Sequence, residues 1–224
     1  MSLKTVIEQF EYSIRNLVIG KEGDVVHRSP ATMDGVPFSA DYLLRLALAG
    51  RQFIFGDADQ NDAVLGQTSF ANTTPTFLLS VPIGVTAIPL FLNLSQTGAV
   101  AGADIDFYVE YDFLDRFSTG GTAETGKNTN TGVPVSQRAP QCTFRSNATA
   151  SAGFGMTVDR TTIAPDVSPA EGIVPGPKWI PPVPIILSGP ASLLVYLLAG
   201  TTAPTVLWNF GCVELPSEWA GRLS

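Results

Sequence analysis

The pattern of apolar positions starts out helical. Leu3, Val6, Ile7, Phe10, Ile14, Leu17 and Val18 recur at spacings of three and four, which places them on one face of a helix. Ser2 stands where a cap belongs, and Gly20 where a helix stops. Residues 20–37 read as loops around a short extended piece, punctuated by Gly20, Gly23, Gly35 and Pro37. From Tyr42 to Ala49 the chain is rich in helix formers, preceded by Ser39 or Asp41 as a cap and followed by Gly50. Leu44, Leu46 and Leu48 also alternate as a strand would, so the pattern leaves both readings open.

From residue 51 onward the period of two dominates. Arg51 to Phe55, Thr76 to Val81, Thr86 to Leu94, Ile105 to Phe113, Gln141 to Thr149, Gly155 to Asp159, Leu193 to Leu198 and Thr205 to Glu214 are short and rich in Thr, aromatic and β-branched residues. Gly, Pro or Asn separate them, and no βαβ spacing joins them. The expected fold is therefore all-β: one sandwich of about eight strands, residues 51–224, behind an N-terminal helical or extended arm, residues 1–50. In the stretch Asp104 to Asp112 the alternation sends Ile105, Phe107, Val109 and Tyr111 to one face and Asp104, Asp106, Tyr108, Glu110 and Asp112 to the other. The first set belongs to a core, the second to solvent or a partner.

Two segments read as long loops. Ser118 to Ser136 is rich in Gly, Thr and Asn and has little to bury. Thr161 to Pro184 holds Pro165, Pro169, Pro175, Pro177, Pro181, Pro182 and Pro184, which favours an extended arm lying along another surface, with Trp179 and Ile180 as apolar anchors. The same prolines break up the most apolar stretch, Ile180 to Leu198, too often for a membrane span. The N-terminus lacks the pattern of a signal peptide.

Composition narrows the function. Only 15% of the residues are charged, against roughly 25% in an average soluble domain, while 45% are apolar. Either Thr, Ser, Asn and Gln cover the surface, or neighbouring subunits do. The net charge of −7 and the absence of any Lys/Arg run give no nucleic-acid-binding signal. Cys142 and Cys212 are far apart in sequence and read as two isolated buried thiols, with a bond across the sandwich as the alternative.

Candidate chemistry is thin. His27 is the only histidine, and no Gly-x-Ser-x-Gly elbow, zinc spacing or phosphate-binding Gly-rich loop accompanies it. Asp57, Asp59, Asn61 and Asp62 put oxygen ligands close together and make a candidate calcium site, without the Gly and Glu that complete a helical calcium loop. Asp104, Asp106, Glu110 and Asp112 offer same-face pairs about 6.5 Å apart, the minimum requirement for a glycoside hydrolase.

The ordering of parts resembles the viral jelly-roll capsid proteins. The resemblance rests on the N-terminal helical segment, the eight strands, the Gly/Thr/Pro-rich loops, and the closing pair Pro190 to Pro204 and Thr205 to Leu215. It implies a non-enzymatic coat subunit of a virion, assembled from copies of itself, with other virion proteins or an internal membrane as further partners. In that setting the interface candidates are Leu3, Ile7, Phe10 and Ile14 on the helix and Trp179 and Ile180 on the arm. The rival reading is a β-sandwich carbohydrate-binding or adhesion module, which would draw on Tyr108, Tyr111, Trp179, Trp208 and Trp219 as exposed aromatics.

Overall fold

The structure, a computed structural model, describes residues 42–56, 63–97, 104–163 and 174–216. The helix expected over residues 3–18, with Leu3, Ile7, Phe10 and Ile14, lies outside the described residues, as do His27, the acidic loop 57–62 and Trp219.

Helix α1, Tyr42–Leu48, resolves the ambiguity of that segment in favour of the helix. It closes at Gly50, whose φ of +67° lies in the left-handed region and whose N–H donates to the Ala47 carbonyl at 2.9 Å. Strands then follow in the order β1 Gln52–Gly56, β2 Val64–Leu65, β3 Phe77–Val81, β4 Val85–Gln96 and β5 Ile105–Asp112. Next come β6 Phe117–Thr119, β7 Thr122–Ala123, β8 Thr125–Asn128, β9 Thr143–Ser146 and β10 Thr149–Ala150. The chain ends with β11 Met156–Ile163, β12 Val174–Trp179, β13 Leu187–Ser188, β14 Ala191–Ala199 and β15 Thr205–Pro216.

The strands form two main antiparallel sheets. The first runs β12-β4-β15-β1-β8, with β13 and β2 as short additions, and the second runs β11-β5-β14-β3-β9-β7. Their inner faces share one core, in which Phe53, Phe55, Leu92, Trp208 and Phe210 of the first sheet meet Phe77, Leu79, Phe107, Phe144 and Leu193 of the second. This is an all-β, sandwich-like architecture. Alternation explains the inner face of β5, where Ile105, Phe107 and Val109 are buried as expected.

Alternation alone does not carry through β4. Val85 and Ala87 belong to the shared core, and so do Leu92 and Leu94, although an odd number of residues separates the two pairs from in-phase positions. The register on β15 explains this: Gly211 faces Phe91 but Cys212 faces Pro89, so Leu90 is an extra residue. A bulge of this kind flips the face that later residues present. Gly211 is needed opposite it, because a Cβ there would stand 2.5 Å from the Phe91 ring. Ile88 and Leu90 then turn outward and pack with Leu46, Val213 and Leu215.

Both segments read as loops contain pairing. Residues 118–136 contribute β7 and β8, and β8 extends the first sheet beside β1. β9 and β7 extend the second sheet beside β3, so the excursion between β5 and β11 covers the β1 edge of one sheet and the β3 edge of the other. In the proline-rich segment, Val174–Trp179 pairs with β4 as an edge strand. Its prolines are tolerated there because an edge strand needs only half its N–H groups, and the register shifts between Pro175 and Lys178.

Candidate functional site

The outer face of the second sheet is where the polar chemistry gathers. β14 is buried along both faces: Leu193, Val195 and Leu197 enter the shared core, while Leu194, Tyr196 and Leu198 pack outward with Leu78, Ala148 and Ala150. The cover is supplied by β6 and β10, which form a small sheet of their own, and by Phe70, whose ring centroid lies 5.1 Å from that of Tyr196. Phe117 packs into this layer, and the Arg145 guanidinium lies 3.8 Å over its ring.

Arg116 ties that cover down. Its side chain is buried and donates to the Ser151 carbonyl from Nε at 2.8 Å, to the Gly153 carbonyl at 3.0 Å, and to the Asp112 carboxylate at 3.0 Å. At the β1 edge of the first sheet, Asn128 of β8 donates to the carbonyls of Gly50 and Gln137 at 2.7 and 3.0 Å and accepts from the Asn130 N–H. On the second sheet the Tyr196 hydroxyl donates to the Asn72 carbonyl at 3.0 Å and so holds the chain before β3. Burial, and secondarily the charge of Glu110, pushes the Tyr196 hydroxyl above its ordinary pKa.

The acidic row of β5 is partly engaged by neighbours. Asp106 accepts from the hydroxyls of Thr162 at 2.9 Å and Tyr108 at 3.2 Å. Asp112 is paired with Arg116 and also accepts from the Leu114 N–H. Glu110 is half-buried and accepts from Thr157 Oγ1; burial raises its pKa, against the opposing pull of that hydrogen bond and of Arg116. The row therefore holds β5 to β11 and to the chain after β5. Asp104 is exposed at the start of the row.

The aromatic pool divides differently from an exposed sugar-binding face. Trp179 and Trp208 are in the shared core, their indole N–H groups without hydrogen-bond partners, and Tyr111 is partly buried against the same core. Tyr108 is half-buried, with Phe70 edge-on at 6.0 Å and the Arg160 guanidinium 4.8 Å from its ring centroid. Ile180, one residue beyond Trp179, is exposed.

Cys142, Cys212 and Glu214 form a buried titratable group at the inner face. Both thiols are free, and burial raises both above their ordinary pKa, with the neighbouring Glu214 charge adding to it. The Glu214 carboxylate accepts from the N–H groups of Gln141 and Cys142 at 2.8 and 3.0 Å, and burial raises its pKa despite those bonds. Its backbone lies in β15 and the N–H groups that donate to it lead into β9, so it links the two sheets. Among the described residues no cluster of three or more His, Cys, Asp or Glu side chains has the arrangement to hold a metal ion.

Sequence reasoning singled out the acidic row and the two cysteines. Arg116, Asn128 and Glu214 were not singled out, because most of their partners are backbone groups, which carry no signal in composition or spacing. Comparison with protein-family models and with curated protein sequences returned no match.

Proposed function

We propose that this chain is a self-assembling coat subunit of a virion, that its sandwich is a jelly roll, and that it acts through contacts between copies rather than through catalysis. The observation that carries the reading is the strand order. Setting aside the short additions, the eight principal strands in chain order are β1, β3, β4, β5, β11, β12, β14 and β15. Numbered one to eight, they lie as 1-8-3-6 in the first sheet and 2-7-4-5 in the second. This order supports the jelly-roll reading, in which two Greek keys interleave in this way, an architecture shared by viral capsid and lectin domains.

Charge and burial favour the capsid branch over the lectin branch. A sugar-binding module needs aromatics on an open face, and two of the three tryptophans are in the core. The low charged fraction suits a surface that neighbours cover, and the acids of β5 are engaged in holding strands together rather than paired across a cleft.

The test is the mass distribution of the purified protein across concentration, with and without calcium, by light scattering and negative-stain imaging. Rings, discrete capsomers or closed shells are the expected result. A monomer at every concentration that binds a glycan array would replace the coat reading with the adhesion module.

A further inference from the structure

Three separate segments bring exposed apolar side chains to one end of the second sheet. The turn between β3 and β4 presents Ile83, 81% exposed; the chain leaving β5 presents Phe113, 78% exposed, and Leu114; the chain entering β11 presents Phe154, 87% exposed, and Met156. Register puts them side by side, because Val81 pairs with Ala191, Asp112 with Ser192, and Tyr111 with Met156. The ends of β3, β14, β5 and β11 are thus level, and at about 4.8 Å per strand the four span roughly 15 Å.

The segments are held in place. Phe113 stacks edge-on against Tyr111 at 5.6 Å, Ser192 Oγ donates to the Leu114 carbonyl at 2.9 Å, and Arg116 donates to the Gly153 carbonyl beside Phe154. A Cβ on Gly155 would stand 2.8 Å from the Tyr111 carbonyl, so the chain next to Phe154 lies directly on β5. The apolar groups are therefore presented by ordered backbone, which lowers the entropy cost of using them in a contact.

The area and the charge say what occupies this end. Five side chains of this size and exposure leave on the order of 800 Å² of apolar surface, larger than the usual largest patch on a monomer and about one partner's share of a standard interface. Within residues 81–84, 113–117 and 151–156 the single cation, Arg116, is buried and already bonded. A lipid surface is read by apolar groups flanked with Lys and Arg, and none is exposed in these segments. An apolar patch with almost no charge meets its own copy without like-charge repulsion, which is what a two-fold contact requires.

We propose that this end of the sandwich is closed by the same end of a second copy of the chain, in a two-fold contact centred on Phe113 and Phe154. The proposal rests on the coat reading and names one of its interfaces. It gives the two ends of the residue 113–155 excursion two uses: carrying the β6–β10 cover of the second sheet and delivering the contact.

The test uses the full chain and two readouts. In sedimentation velocity across concentration, Phe113→Asp with Phe154→Asp weakens association roughly thirtyfold or more, the scale of an interface hot spot, while circular dichroism and thermal unfolding stay as in the wild type because both side chains are exposed. A photo-crosslinking benzoyl-phenylalanine at position 154, in a mixture of 14N- and 15N-labelled protein, is expected to give mixed-isotope products joining it to residues 81–84, 113–114 or 154–156. Wild-type and doubly substituted chains that assemble alike would overturn the two-fold contact and leave the coat reading standing. Crosslinks within one chain to residues 1–41 would assign the cover to the chain's own N-terminal segment. Flotation of the wild type, but not of the double variant, with phosphatidylcholine vesicles would assign it to a membrane. A wild type that stays monomeric throughout overturns both the contact and the coat.

Discussion

Between the sheets, Phe55, Phe77, Phe144, Trp208 and Phe210 touch in a continuous cluster with ring centroids 4.7 to 6.1 Å apart. Outside the second sheet, a smaller set of Leu78, Leu194, Tyr196 and Leu198 is covered by the β6–β10 pair, and the tie there is directional: Arg116 to the carbonyls of Ser151 and Gly153. The inner layer is non-directional and tolerates any arrangement that fills its volume. The outer layer depends on a few polar groups whose partners must be in place, because an unpaired one costs more than a paired one contributes. An excursion poor in apolar residues is thereby folded without a core of its own.

Four substitutions sharpen that contrast. The largest loss is expected from Phe144→Ala, which empties the centre of the aromatic cluster and should cost about 3–5 kcal/mol in urea unfolding. Arg116→Ala should cost about 3 kcal/mol, since it strands the Asp112 carboxylate and two carbonyls. Hydrogen exchange should separate the two: the loss at 144 is global, whereas the loss at 116 concentrates as faster exchange in residues 113–119 and 148–155. Equal deprotection across both sheets in the Arg116 variant would mean that the β6–β10 cover is not a separate layer.

Asn128→Ala should cost about 2 kcal/mol, by leaving the carbonyls of Gly50 and Gln137 and the Asn130 N–H without their partner. The smallest effect is one of pH. Because the folded pKa of Glu214 is raised, the native state keeps a proton that the unfolded chain releases as pH climbs past 4.5. Stability from this group is present below that pH and falls as pH rises through the raised value. Glu214→Gln should flatten the slope of unfolding free energy against pH above 4.5, leaving a residual slope of the same sign from Glu110. An unchanged slope would remove Glu214 as its source.

The inner layer was largely legible in the sequence. The alternation in Asp104 to Asp112 gave the right inner face for β5, and each of the eight expected strand segments contains a strand. The acidic face of the same segment was legible as polar, but its use was not: Asp106 and Asp112 are bonded to Thr162 and Arg116, fifty-six and four residues away. Residues 118–136 read as a loop because Gly, Thr and Asn carry little apolar signal. β8 and β7 within them pair with β1 and β9 through backbone groups, which every residue has. The same holds for Val174–Trp179, where the prolines argued against a strand and an edge position accommodated them.

What the sequence determined by itself is the class: a period-two apolar pattern, sparse charge and strand-sized segments without helical crossovers leave an all-β sandwich as the way to bury those residues together. What only the tertiary structure decided is which strands neighbour which, where the β4 bulge at Leu90 reverses the inward face, and where Ile83, Phe113 and Phe154 come together. The physical reason is range. Side-chain alternation is a local consequence of backbone geometry, whereas strand order and the meeting of distant turns are set by backbone hydrogen bonds and packing between segments more than a hundred residues apart.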